Sequence, residues 1–217
     1  MRVVAISDTH TFEDRITVPD GDVLIHAGDA TITGTVAEVS AFGAWLESQP
    51  HKHKIVIAGN HDWLFERDNA HARLLIEPWA HYLQDSMVEI TGVRFYGSPW
   101  QPRFQDWAFN VNRGRAIAWK WRLIPKCDVL ITHGPPWGVL DQVIDGALHL
   151  GCEELGHAVG RVKPRVHVFG HIHGGYGERR APNGIHFINA SIVTKRTTRS
   201  TRRLSSRFKH LWDWSHT

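Results

Sequence analysis

Five short polar blocks in this 217-residue chain carry residue types that bind metal ions: Asp8-Thr9-His10, Gly28-Asp29, Gly59-Asn60-His61-Asp62, Thr132-His133-Gly134 and Gly170-His171-Ile172-His173. Taken singly, each is weak. An Asp-x-His spacing occurs by chance in many proteins, and a glycine turn carrying Asn60 reads equally well as a turn with an Asx cap. His171 and His173 are a better pair, because alternate residues of an extended chain point the same way and bring two imidazoles to one place. Together, Asp8, His10, Asp29, Asn60, His133, His171 and His173 supply two carboxylates, one amide oxygen and four imidazoles. That is a donor set for two divalent transition ions, mixed in oxygen and nitrogen and free of thiolate. Core packing gives no reason for the collection, since unpaired polar groups in an apolar interior cost several kcal/mol each.

Each block follows a short, β-branched and nearly continuous apolar run: Val3 to Ile6, Val23 to Ile25 with Ala27, Ile55 to Ala58, Val129 to Ile131, and Val166 to Phe169. Strands covered on both faces read this way. Helices are predicted between them. Thr35-Val36-Ala37-Glu38 has the spacing of a capping box, and Val39, Phe42 and Leu46 follow at helical intervals before Pro50. Asp62 to Ile76, Ala116 to Ile124 and Glu153 to Val159 are further helical segments. The alternation argues an α/β fold whose site lies outside the carboxyl ends of its strands, where a parallel sheet would gather the polar blocks. Val88 to Ile90, Val93 to Tyr96 and Ile185 to Ile188 read as strands of a second sheet.

In their order along residues 1 to about 191, these blocks resemble the calcineurin-like metallophosphoesterase superfamily. The longer stretches Gly21 to Asp29, Tyr96 to Pro102 and Thr132 to Pro136 resemble its branch of metallophosphoesterase domain-containing proteins, which is similar to class III cyclic nucleotide phosphodiesterases. The resemblance implies a four-layer αββα sandwich of two mixed β-sheets flanked by helices. It implies a two-metal centre with Asp8, His10 and His173 on one ion, Asn60, His133 and His171 on the other, and Asp29 between them. The implied reaction is hydrolysis of small phosphodiesters, cyclic nucleotides among them, by in-line attack of a metal-bridging hydroxide with His61 as general acid. Mn²⁺ is the first expectation for the metals, and Fe, Zn²⁺ or Ni²⁺ suit the same donors. A phosphomonoesterase, a nuclease and a nucleotide-binding protein with weak turnover are the alternatives. In protein phosphatases an Asp and an Arg follow the glycine-aspartate block, whereas Ile32 and Thr33 stand here, which argues against that activity. Asp62, next to His61, is the expected orienting partner of that histidine.

Substrate contact is assigned to Asn60, His61, Trp100, Arg103 and Trp137. The stretch from Trp100 to Trp121, with Trp107, Trp119, Arg103 and Arg113, reads first as core packing with surface arginines. Its second reading is a substrate loop, since aromatic faces stack on rings and guanidiniums meet phosphates. With 42% hydrophobic and 22% charged residues the composition is that of an ordinary globular protein, and no apolar run reaches the eighteen or so residues of a membrane span. No secretory leader is read at the start, and the two cysteines are too few for a disulfide framework, so a cytoplasmic setting is expected. The charge is uneven. Lys195, Arg196, Arg199, Arg202, Arg203, Arg207 and Lys209 face one acid, Asp213, at the end of the chain, while the rest is mildly acidic. We therefore divide the chain into a metallophosphoesterase domain, residues 1–191, and a basic extension, residues 192–217, read as solvated and partly disordered. Nucleic-acid binding through that extension is the less favoured reading.

Overall fold

The computed structural model describes residues 1–143, 148–192 and 211–214. Strands β1 (Arg2–Ile6), β2 (Val23–Ala27), β3 (His53–Ile57) and β4 (His81–Tyr82) pair in parallel in that order. A second sheet is built from β5 (Ser86–Ile90), β6 (Val93–Ser98), β9 (Val129–Thr132), β10 (Val166–Phe169), β11 (Gly177–Arg180) and β12 (His186–Asn189). Its order is β11-β12-β10-β9-β6-β5, parallel in the middle and antiparallel at both edges. Between β6 and β9 lies a small parallel pair, β7 (Gln101–Pro102) with β8 (Asn110–Val111).

The five apolar runs are thus strands, but they do not share one sheet. The run at Val129 and the run at Val166 lie in the second sheet, together with the strands expected to stand apart from them. Side-chain alternation explains why the runs are nearly continuous in apolar residues. Val3, Ala5, Val23, Ile25, Ile55 and Ile57 meet Phe95, Val129, Ile131, Val166, Val168 and Ile188 in a core between the two sheets. Residues of opposite parity turn outward. Val56 packs with Val39, Phe42, Leu46, Phe65 and Ile76 under helices α1 (Val36–Ser48), α2 (Trp63–Arg67) and α3 (Asn69–Ile76). Leu130 and Phe169 pack with Ile117, Trp121, Leu155 and Val159 under α4 (Arg115–Arg122) and α5 (Glu153–Val162). The result is a four-layer arrangement of helices, sheet, sheet and helices, with the carboxyl ends of the parallel strands of both sheets at one rim.

The capping box at α1 forms as spaced: Glu38 N–H donates to Thr35 Oγ1 at 3.3 Å, and Thr35 N–H donates to the Glu38 carboxylate at 2.9 Å. The segment Asp62 to Ile76 breaks into α2 and α3 because Asp68 caps α3, accepting from the His71 N–H at 3.2 Å. No helix among the described residues is long and apolar enough to cross a membrane.

The basic run of the C-terminal extension, Lys195 to Lys209, lies outside the described residues. Strand β13 (Leu211–Asp213) adds antiparallel to the free side of β1, and Trp212, 6% exposed, enters the core between the sheets. Its indole N–H meets no hydrogen-bond partner among the described residues. Trp212→Ala is expected to cost about 3–5 kcal/mol in urea denaturation. Trp212→Phe, which keeps most of the volume and removes the unpaired donor, is expected to cost much less. An alanine variant as stable as wild type would show that this strand contributes nothing to the core.

Candidate metal centre

Four of the seven candidate donors sit on left-handed backbone: Asp8 (φ 57°), His10 (φ 48°), Asp29 (φ 55°) and His171 (φ 66°). Such conformations persist only where the surroundings over-determine them, and they gather at functional sites. Here two loops are laced together. Asp8, His10 and Thr11 N–H groups donate to the carbonyls of Gly28 (2.9 Å), Asp29 (3.1 Å) and Ala30 (2.9 Å). Gly28 (φ 96°) tolerates no side chain, since a Cβ there would lie 2.6 Å from His133 Nδ1.

Three histidine rings are held through Nδ1. His10 Nδ1–H donates to the Thr31 carbonyl at 3.2 Å, His61 Nδ1–H to the Ile32 carbonyl at 2.7 Å, and His133 Nδ1–H to the Ala27 carbonyl at 3.0 Å. Each anchor leaves Nε2 aimed inward, which is how the protein environment presents imidazoles to metals. His10 Nε2 lies 3.5 Å from His173 Nε2. His133 Nε2 lies 2.9 Å from Asn60 Oδ1 and 3.4 Å from Asp29 Oδ2. Asp8 Oδ1 is 3.3 Å from His173 Nε2, and its other oxygen accepts from Ser191 Oγ at 2.7 Å.

Donor atoms within 4.8 Å of one another form three groups: Asp8 with His10 and His173, Asp29 with His133 and His171, and His10 with Asp29 and His61. Asp29 belongs to two of them. Asn60 joins the second through His133, so all seven expected ligands are brought together. The chemistry of the set, oxygen and imidazole donors without thiolate, suits divalent metal ions.

The electrostatics agree. Burial alone would raise the Asp8 and Asp29 carboxyls, but the facing histidines outweigh it: His173, His133 and His10 hold Asp8 well below its ordinary value, and His133 and His10 hold Asp29 there. Burial disfavours a charge on His133, yet Asp29, Asp8 and the Ala27 carbonyl push it up to about 9. The cluster thus stabilises positive charge at Nε2, whether proton or metal ion. His171, with less carboxylate support, is pushed by burial down to about 4, a neutral imidazole suited to coordination.

Asp62 occupies a different position from the one adjacency suggested. It is 1% exposed, and its carboxylate accepts from the N–H groups of Gly59 (2.7 Å), Asp29 (2.9 Å) and Thr31 (3.0 Å) and from Thr31 Oγ1 (2.7 Å). It therefore ties the Asp29 loop to the Asn60 loop, while the Ile32 carbonyl orients His61. A sequence reading looks for side-chain partners, and a backbone carbonyl at position 32 leaves no signature in residue type. Trp107 was likewise hidden within the aromatic stretch, and its ring lies 4.0 Å from that of His61.

The substrate residues divide. Arg103 lines a cleft that opens on His171 and His173. Trp100 does not: its Nε1–H donates to Asp85 at 2.6 Å and Lys120 Nζ sits over its ring, so it packs where the small parallel pair meets the cores. Trp137 is 52% exposed beside His149 and is not part of the cleft's lining. Phe104, a neighbour of Arg103 that no motif marks, lines the cleft instead.

Two histidines outside the clusters carry a pH dependence of their own. His26 and His167 are fully buried on β2 and β10, and burial pushes both down to about 3. Each Nε2–H donates to a threonine hydroxyl, Thr9 at 3.0 Å and Thr132 at 2.9 Å, which itself donates onward to Glu13 and to the Gly134 carbonyl. Protonating either ring would bury a charge at an Nδ1 with no partner among the described residues. Because the folded value lies below the unfolded one of 6.5, the unfolded chain binds the proton first, and stability present above 6.5 is lost as pH falls towards 3. The slope is about 1.4 kcal/mol per pH unit for each ring. In urea denaturation at about pH 7.5 and about pH 5, His167→Asn is expected to shrink the stability difference by about 2 kcal/mol. An unchanged difference would mean that His167 is not neutral in the folded protein.

Comparison with known proteins accords with this geometry. A family model for the calcineurin-like phosphoesterases matches residues 1–175. Metallophosphoesterase domain-containing protein 1 of Homo sapiens is 46% identical over 217 residues, covering 89% of this chain and 66% of that protein. The UPF0046 protein K07C11.7 of Caenorhabditis elegans is 41% identical over 216 residues, covering 93% of this chain and 73% of that one. This chain thus spans just under two thirds of the human relative's length. The crystal structure of TT1561 of Thermus thermophilus shares the fold, with a TM-score of 0.60 at 13% identity over 88% of either chain. The matched residues 1–175 carry every one of the gathered donors, from Asp8 after β1 to His173 after β10, and the chain belongs to the calcineurin-like phosphoesterase family.

Proposed function

We propose that this chain is a two-metal phosphodiesterase acting on small phosphodiesters, with Asp8, His10, Asp29, Asn60, His133, His171 and His173 as metal ligands and His61 as general acid. The observation that carries the reading is the sharing of Asp29 between donor groups, with His61 beside it: Asp29 Oδ1 accepts from the His61 N–H at 2.8 Å, and His61 Nε2 lies 4.0 Å from Oδ2. When bound, a pair of divalent ions supplies Lewis acidity at phosphorus and lowers the pKa of water, with Mn²⁺ our first choice of metal. The residues supply the rest. Donation from His61 Nδ1–H to the Ile32 carbonyl fixes the ring and leaves Nε2 as the atom that carries a proton to the leaving oxygen. Trp107, packed on the same ring, limits its rotation and excludes water from one face.

A diester rather than a monoester is supported by Ile32, 43% exposed beside His61, where a dianionic phosphate would call for a cation. The largely apolar cleft that His171 and His173 help to line has room for a second ester group. Cys127 and Cys152 are buried and unpaired, which supports a reducing, cytoplasmic setting. The test is hydrolysis of bis(4-nitrophenyl) phosphate and 4-nitrophenyl phosphate by protein stripped with chelator and reloaded with Mn²⁺. We expect the diester to be preferred and turnover to vanish on chelation. Preference for the monoester, or turnover that survives chelation, would overturn the proposal.

A further inference from the structure

The cleft beside the donor groups measures about 640 Å³, within the range of small-molecule sites. His171 and His173 form part of its lining, and Phe104, Pro135, Val143 and Leu150 make its walls largely apolar. His61 and Asn60 do not line it. Phe104 is 47% exposed, with its ring centroid 6.3 Å from that of His171 and nearly perpendicular to it at 79°. A large ring left that open in the wall of the cleft offers its face to whatever enters.

The loop that presents it is tightly built. Asn110 Oδ1 accepts from the Phe104 N–H at 3.1 Å, and Asn110 Nδ2 donates to the carbonyls of Phe104 (3.3 Å) and Gln105 (2.9 Å). Gln105 takes the left-handed conformation needed for the turn (φ 50°). The same loop delivers Trp107 to His61, so a single segment places one aromatic ring against the candidate acid and a second, open one across from His171. Arg113, also in the lining, donates to Gly151 O at 2.9 Å and Leu150 O at 3.0 Å. Its guanidinium is thereby held in place by carbonyls, and with Arg103 it gives the otherwise largely apolar lining a positive charge suited to the phosphate.

On the reading of a phosphodiesterase, we infer that this cleft seats the ester group that stays on phosphorus, and that the group it selects is a flat aromatic or heteroaromatic ring stacked on Phe104. The retained group is assigned because His61, which protonates the departing oxygen, lies outside the cleft. In the balanced reaction the oxygen of water bonds to phosphorus, the bond to the leaving oxygen breaks, that oxygen takes the His61 proton, and the surplus proton of water restores His61. The product left in the cleft is the aromatic monoester. Phe104 is then a specificity-determining residue, and Leu150, Val143 and Pro135 supply the bulk of the contact.

The test is calorimetric titration of Mn²⁺-loaded protein with phenylphosphonate and methylphosphonate, which share the anionic head and differ in the ring. The short separation between Phe104 and His171 lets a ring bonded directly to phosphorus reach the Phe104 face. Wild type is expected to bind phenylphosphonate about tenfold more tightly, as a single stacking contact allows. Phe104→Ala and Phe104→Leu should abolish that advantage, Phe104→Tyr should keep it, and methylphosphonate affinity should be the same in all four proteins. Equal affinity of wild type for the two phosphonates, or an advantage that survives in Phe104→Ala, overturns the assignment; survival in Phe104→Leu alone overturns stacking in favour of mere bulk. Failure of the underlying reading is seen elsewhere, as absence of diester turnover by the Mn²⁺-loaded wild type.

Discussion

Asp29→Ala is expected to lower kcat/KM for bis(4-nitrophenyl) phosphate by at least about 10³-fold, the several kcal/mol that a bridged metal pair contributes to charge stabilisation. In calorimetric titration with Mn²⁺ the variant should bind fewer than the two ions proposed for wild type. The reason is position. Asp29 Oδ2 lies 3.4 Å from His133 Nε2 and 3.9 Å from His10 Nε2, which places this one carboxylate between the two groups. Alanine also removes the acceptor for the His61 N–H at 2.8 Å and so loosens the loop, which makes Asp29→Asn the control. Asparagine keeps an oxygen at that bond and removes the negative charge. A loss in both variants assigns the effect to the carboxylate's charge. If Asp29→Asn retains two ions and nearly full turnover, the shared-ligand role is wrong.

His61→Ala is expected to reduce kcat by roughly 10²- to 10⁴-fold, the worth of a positioned general acid, with metal stoichiometry unchanged. His61 falls within one donor group with His10 and Asp29, so ion binding is the measurement that separates an acid from a ligand. A second readout tests the proton itself. Diesters with poor alkyl leaving groups need protonation more than those releasing 4-nitrophenolate, so the deficit should widen as the leaving group becomes more basic. A uniform deficit across leaving groups would assign His61 to positioning alone. Loss of an ion would make it a ligand.

The site residues were legible because metal ligation restricts residue type. Asp8, His10, Asp29, Asn60, His133, His171 and His173 stand out as costly polar groups after apolar runs, and the structure gathers them into overlapping donor groups, with Asn60 joined through His133. The strands are legible for a related reason: residues covered on both faces leave no regular polar alternation, so β1, β2, β3, β9 and β10 show as short, nearly continuous apolar runs. The helix at Val36–Ser48 was announced by the Thr35 and Glu38 capping pair, a local interaction between residues three apart.

Other features depended on contacts that sequence neighbours do not make. Division of the strands between two sheets turns on which faces meet, and the residues of the inter-sheet core look no different from those beneath the helices. Adjacency pairs Asp62 with its neighbour His61, but the turn at Gly59 aims the Asp62 carboxylate at three backbone N–H groups, and His61 instead finds the carbonyl of Ile32, twenty-nine residues away. Among the aromatic residues, Trp100 and Phe104 differ little in type, yet one packs inside and the other lines the cleft, because Asn110 folds the loop back between them. The sequence alone determined which chemistry this chain could support, since only certain side chains can hold a metal pair. Tertiary structure decided which groups are aimed, tethered or left open, because orientation is set by backbone partners and packed surfaces drawn from distant parts of the chain.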